Sequence, residues 1–151
     1  MGPRPERDVR VLGIDLGTKR IGVAVSDGTG SLASPLTVVE RSGDVDSDRR
    51  RIAALVVQEE AEMVVIGLPL NMSGSAGPAA AEACAEAGGL GELVAPIPVI
   101  LWDERLTTVS ADRSMRASMP RKKAPERRRS VDMVAAAILL QSYLDAHREP
   151  R

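Results

Sequence analysis

The sequence predicts an α/β domain built on a mixed sheet, and three observations carry that prediction. Three short β-branched-rich runs follow one another near the start, helical and strand-like stretches alternate after them, and an apolar-striped helix closes the chain. Residues 9–15 and 21–26 are the first two runs; Leu16, Gly17, Thr18, Lys19 and Arg20 between them form a glycine-bearing turn, which reads as a β-hairpin. Residues 32–39 add a third strand, where Pro35 marks an edge or a bulge because it cannot donate to a ladder. Over residues 46–62, Ile52, Leu55 and Val56 recur at helical spacing behind an acidic start. Residues 63–67 return as a buried strand. Residues 78–87 form an Ala-rich helix that Gly88 and Gly89 should end, and residues 97–102 supply the next strand. A weakly amphipathic helix is expected over residues 107–118. Ser130 is expected to cap a last helix reaching about Ala146, with Val131, Val134, Ala135, Ile138 and Leu139 turned to the sheet. A meander followed by helix–strand alternation implies antiparallel pairing at one side of the sheet and parallel pairing where the crossovers begin. One domain over residues 1–151 is expected, with residues 1–8 and 119–128 mobile and 147–151 a frayed tail.

Composition excludes several function classes. The apolar fraction of 44% is almost wholly aliphatic, with Trp102 and Tyr143 the only large rings, so a platform for stacking several bases is not expected. Cys84 is alone, which rules out an internal disulfide and a Cys-rich zinc site. The one histidine, His147, lies in the polar tail, which removes Ser-His-Asp and Cys-His hydrolases and histidine-based metal sites. The charged opening residues hold no apolar run for a signal peptide or membrane span, so a cytoplasmic protein without membrane contact is expected. The net charge of −1 hides a basic stretch: between residues 113 and 129, Arg113, Arg116, Arg121, Lys122, Lys123, Arg127, Arg128 and Arg129 stand against Glu126 alone.

The remaining chemistry is that of carboxylates. Asp15 ends an apolar strand, and Asp103 and Glu104 follow another; a charge in such a place is costly unless it faces a metal, a cation or solvent. Asp132, at the expected start of the last helix, is equally well explained by the helix dipole and free amides. Together Asp15, Glu104 and Asp132 would offer hard oxygen ligands suited to Mg2+ or Mn2+, with Asp103 as second choice. Such a site suits phosphodiester hydrolysis, in which one ion activates water and a second, about 3.5–4 Å away, stabilises the leaving oxygen. The basic stretch directly precedes Asp132, so Arg121, Lys122 and Lys123 could hold the phosphates of a nucleic acid. Lys19, Arg20 and Asn71 are further candidates for phosphate contact, or ordinary turn residues, as Gly67, Pro69 and Gly74 are.

Four segments in order resemble the YqgF family, also called RuvX, of RNase H-like bacterial proteins. They are residues 13–27 (GIDLGTKRIGVAVSD), 65–75 (VIGLPLNMSGS), 103–108 (DERLTT) and 132–136 (DMVAA). The resemblance implies an RNase H-like fold and a nuclease whose acidic residues correspond to Asp15, Glu104 and Asp132; Arg105, in the matching DERLTT segment, is a further candidate for substrate binding. It implies action on the 5′ end of precursor 16S rRNA, with ribosomal particles as partners, or resolution of Holliday junctions. Where Ser73 stands, the family pattern commonly has Asp. Asp15-Leu16-Gly17-Thr18 also resembles the phosphate loop of actin-like ATPases and sugar kinases, but those enzymes close two such domains around a nucleotide. A non-catalytic nucleotide- or ribosome-binding protein is the alternative of another class. No a/d seam or aromatic anchor announces a dimer interface, so a monomer is expected, although a resolvase would require a two-fold dimer.

Overall fold

In a computed structural model, which describes residues 9–107 and 125–147, five strands form one sheet in the order β3-β2-β1-β4-β5. The strands are β1 (Val11–Leu16), β2 (Arg20–Ser26), β3 (Ala33–Glu40), β4 (Met63–Leu68) and β5 (Val99–Asp103). β1 to β3 pair antiparallel, while β4 lies parallel to β1 and β5 parallel to β4, the mixed sheet that the sequence predicts. Pro35 lies on the edge strand β3, where the register slips between Val23 and Ala24, so both readings of that proline hold.

Alternation along each strand divides the core between the two faces of the sheet. Leu12, Ile14, Ile21, Val23, Val64 and Ile66 meet Ile52 and Val56 of α1 (Val45–Gln58) and Ala83, Leu90 and Val94 of α2 (Pro78–Val94). Val11, Ala24 and Val65 meet Ala136, Leu140, Tyr143 and Leu144 of α3 (Pro125–Ala146) on the other face. Asp44 caps α1, its carboxylate accepting from the Asp46 amide at 3.1 Å.

Three helix boundaries differ from the sequence expectation. Helix α1 ends at Gln58, not near Glu62, and Glu60 beyond it takes a positive φ of 56° as the chain turns towards β4. Helix α2 does not stop at Gly88 and Gly89 but runs through them to Val94, because Leu90 and Val94 prolong the buried stripe begun by Ala80 and Ala83. Arg49 of α1 lies over Gly89, where a Cβ would collide with its guanidinium, and pairs with the buried Glu86 through Nε at 3.1 Å and Nη2 at 3.2 Å. The glycine is there for helix packing, and Glu86 holds Arg49 protonated beyond its ordinary range. Helix α3 begins at Pro125, not Ser130; proline fits a first turn, where its missing N–H costs nothing. Residues 125–128 are therefore helical. The rest of the segment expected to be mobile, the opening eight residues and the helix expected over 107–118, beyond Thr107, lie outside the described residues. Of the tail expected to fray, residues 148–151 lie outside the described residues, while the ring of His147 stacks on Tyr143 with centroids 4.1 Å apart and its Nδ1 lies 2.9 Å from the Tyr143 carbonyl.

Helix α3 sits unusually low on the sheet. A Cβ added at Gly13 would stand 2.8 Å from the Leu140 Cβ, a distance that real side chains do not share. Gly13→Ala should therefore destabilise the protein by about 1–3 kcal/mol, the ordinary cost of overpacking. Urea unfolding followed by circular dichroism measures this, with the midpoint falling and the slope unchanged.

Candidate active site at the sheet end below helix α3

Asp15 is the last residue of β1 to face α3, two residues beyond Gly13, and it is buried at 3% exposure. Its neighbours across the sheet have no side chains. Gly22 on β2 is its direct register partner, and the pairing of Ile14 with Ile66 sets Gly67 of β4 beside it on the other flank. The spaces above both glycines are filled by the other two acids. A Cβ at Gly22 would strike the Asp132 carbonyl oxygen, and one at Gly67 would lie 2.5 Å from the Glu104 carboxylate and 3.1 Å from Leu139. Glu104 is 1% and Asp132 8% exposed. The three carboxylates named from the sequence are thus drawn to one end of one sheet face.

Each acid is held from a different element. Glu104 opens a single 3-10 turn, Glu104–Leu106, directly after β5, and its carbonyl accepts from the Thr107 hydroxyl at 2.9 Å and amide at 3.1 Å. Asp132 is the eighth residue of α3, counting from Pro125, so free amides at the helix start do not explain it. Arg20, at the start of β2 and on the same face as Gly22, donates from Nε to Asp132 Oδ2 at 2.8 Å. Among the described residues no three Asp, Glu, His or Cys side chains are drawn together tightly enough to enclose an ion by themselves.

The other candidates take distinct places. Asp103, the second-choice ligand, is occupied otherwise: it caps the 3-10 turn through the Arg105 amide at 2.9 Å and binds the Arg105 guanidinium at 2.8 Å. That guanidinium holds the Asp103 carboxyl below the usual carboxylate range. Arg105 also reaches the Met72 carbonyl at 3.5 Å, which ties the turn to the loop after β4. In that loop, exposed Asn71 donates to the Ser75 hydroxyl at 2.9 Å, and Ser73 lies 3.0 Å from the same hydroxyl, so Ser73 shapes the loop. Lys19 is exposed at the hairpin turn. Arg121, Lys122 and Lys123 lie outside the described residues. Gly67, read from the sequence both as the end of the fourth strand and as a turn residue, is a strand residue, and Gly22 was no candidate at all. The signal available was glycine inside a β-branched run, which marks the close approach of another group.

The family description "RuvX: Holliday junction resolvase" matches residues 9–146. The chain belongs to the RuvX family. A protein of Mycobacterium sp. (strain KMS) bearing the name "Putative pre-16S rRNA nuclease" is 48% identical over 92% of this chain and 81% of its own length. Relatives of the same name in Myxococcus xanthus and Thermoanaerobacter pseudethanolicus are 46% and 41% identical, covering 94% and 93% of this chain and 91% and 99% of theirs. Among solved structures, Thermus thermophilus RuvC in complex with a Holliday junction substrate superposes with a TM-score of 0.55 at 22% identity, over 91% of this chain and 94% of that one. The RuvX protein therefore has the RNase H-like fold, and it is a nuclease, a hydrolase of phosphodiester bonds.

Steric exclusion at Gly67 gives a specific expectation for this nuclease. Gly67→Ala should lower turnover about 100-fold, the usual effect of a misplacement of about 1 Å at a catalytic group, because the methyl displaces the Glu104 carboxylate. Its melting temperature should change less than that of Gly13→Ala, since the displaced atom is the end of a side chain. Steady-state cleavage kinetics beside thermal melts measure both.

Proposed function

We propose that this RuvX protein is a divalent-metal-dependent nuclease that matures the 5′ end of precursor 16S rRNA in the cytoplasm, working on RNA or on ribosomal particles. The observation that carries the proposal is the placement of Asp15, Glu104 and Asp132 around two strand glycines, Gly22 and Gly67, whose missing side chains leave room for them. The cradle and the donor set fit Mg2+ or Mn2+. All three donors are hard and anionic, and magnesium is commonly bound through only one or two carboxylates with its waters retained, so an enclosing cage is not needed. Bound there, the ion would supply an activated water and charge stabilisation at the phosphate.

The chain's own residues supply the rest. Burial beneath α3 removes the carboxylates from bulk solvent and so strengthens the electrostatic interactions they make. Arg105, next to Glu104 in sequence and held at Met72 to the loop that carries Asn71, and Lys19, in the turn that follows β1, are with Asn71 the candidates for guiding the substrate backbone. Arg121, Lys122 and Lys123, nine to eleven positions before Asp132 in sequence, would add sequence-independent attraction for phosphates.

Precursor rRNA is favoured over a four-way junction because relatives 41–48% identical bear the rRNA nuclease name, whereas the RuvC likeness, at 22% identity, carries the fold alone. The junction reading draws on the family description, and it requires paired active sites in a two-fold dimer. The test offers a ribosomal 5′ leader RNA and a four-way DNA junction in competition, with Mn2+ and with chelator, alongside light scattering. A mainly monomeric protein that cuts the RNA only with metal is expected, and Asp15→Asn, Glu104→Gln and Asp132→Asn should each abolish the cutting while remaining folded. A stable dimer nicking the junction symmetrically, with the RNA left intact, would replace the rRNA reading with the resolvase.

A further inference from the structure

Arg20 was a candidate for phosphate contact on the strength of its place in a hairpin turn. The structure assigns it another role: we propose that Arg20 is a positioning residue that fixes the direction of the Asp132 carboxylate and offsets one of the three negative charges of the site. The inference rests on the metal-dependent reading above.

Three observations carry it. Arg20 is the first residue of β2 and stands two residues before Gly22, so both lie on the face that receives α3. At Gly22 the helix backbone comes down onto the sheet at the Asp132 carbonyl, which leaves the helix no freedom to slide there. The Asp132 side chain then has to be aimed, and the Arg20 Nε takes its Oδ2 at 2.8 Å across 112 residues of sequence, in a setting where the arginine side chain is 24% and the aspartate side chain 11% exposed. A guanidinium suits this task because its donors are fixed in a plane and it stays charged at any working pH. Its positive charge also stands where a cation would be drawn, so the two compete for the same carboxylate.

The two effects oppose each other in one variant, which makes them separable. Without substrate, removing the positive charge should strengthen cation binding; in turnover, the misdirected carboxylate should slow the reaction. For Arg20→Ala, calorimetric titration of the substrate-free protein with Mn2+ should show affinity rising about tenfold at low salt, as expected for the loss of a neighbouring like charge. Cleavage should show kcat falling about 100-fold with KM little changed. Arg20→Lys, which keeps the charge as a point but loses the fixed fork, should return Mn2+ affinity to that of the unsubstituted protein while restoring kcat only in part. If Arg20→Ala does not fold, Arg20→Gln, which keeps a donor without the charge, carries the same comparison. Unchanged Mn2+ affinity in the neutral variants, or a loss confined to KM with kcat kept, overturns the proposal and returns Arg20 to phosphate contact. If the unsubstituted protein binds no Mn2+, the metal reading fails, and this inference with it; if it binds Mn2+ normally and only the variants disagree, the inference alone fails.

Discussion

Close approach of helix α3 to the sheet is the constraint on which the functional end of this protein depends. A helix ordinarily rests on a layer of side chains, yet here Leu140 comes down over Gly13 and the Asp132 backbone over Gly22, while Glu104 and Leu139 fill the space over Gly67. Each glycine lies on the same face of its strand. Losing a side chain inside a strand weakens β structure and costs extra conformational entropy. What the fold obtains in return is depth: Asp132 is lowered to the level of Asp15, and the turn after β5 can fold Glu104 inward to the same level.

That depth explains why the site is electrostatically expensive. Three carboxylates, each less than a tenth exposed, sit at the end of a sheet whose opposite face carries the larger apolar cluster. Burial disfavours the charged form and like charges repel, so such a group persists only where counter-charge is supplied. Arg20 supplies part of it within the described residues, at Asp132. Asp103 shows the contrast: although adjacent in sequence to Glu104, it points the other way, takes Arg105 as its partner and serves the local turn. The strand ends between the two: Asp103 closes β5 and caps the turn, and Glu104 opens that turn and is buried.

Much of this was legible in the sequence. The strand meander and the crossovers follow from β-branched runs and helical periodicity; Asp15 and Glu104 stand out as charges at strand ends and Asp132 as a helical acid, and the structure buries all three. What was not legible follows from contacts between distant residues. Gly88 and Gly89 carry the usual signal of a helix end, and only contacts with distant residues show why the helix continues: burial of Leu90 and Val94 in the core, and the Arg49–Glu86 pair lying over Gly89. Ser130 looked like a cap because nothing local distinguishes it from one; Pro125, five residues earlier, starts the helix instead, and Asp132 thereby loses its ordinary explanation as a helix-start acid. His147 looked idle because its partners, Tyr143 and Trp102, are a packing matter that spacing does not reveal. The partner of Arg20 lies 112 residues away, beyond the reach of any local pattern.

The central claim is that the glycine-lowered helix brings Asp15, Glu104 and Asp132 around one divalent-ion site. Anomalous diffraction from crystals grown with Mn2+ tests it most directly. The account predicts a manganese peak bounded by the carboxylates of these three residues, with Asp103 still paired to Arg105. A peak held by Asp103, or one at a place remote from β1, with Glu104 and Asp132 taking no part, would contradict it.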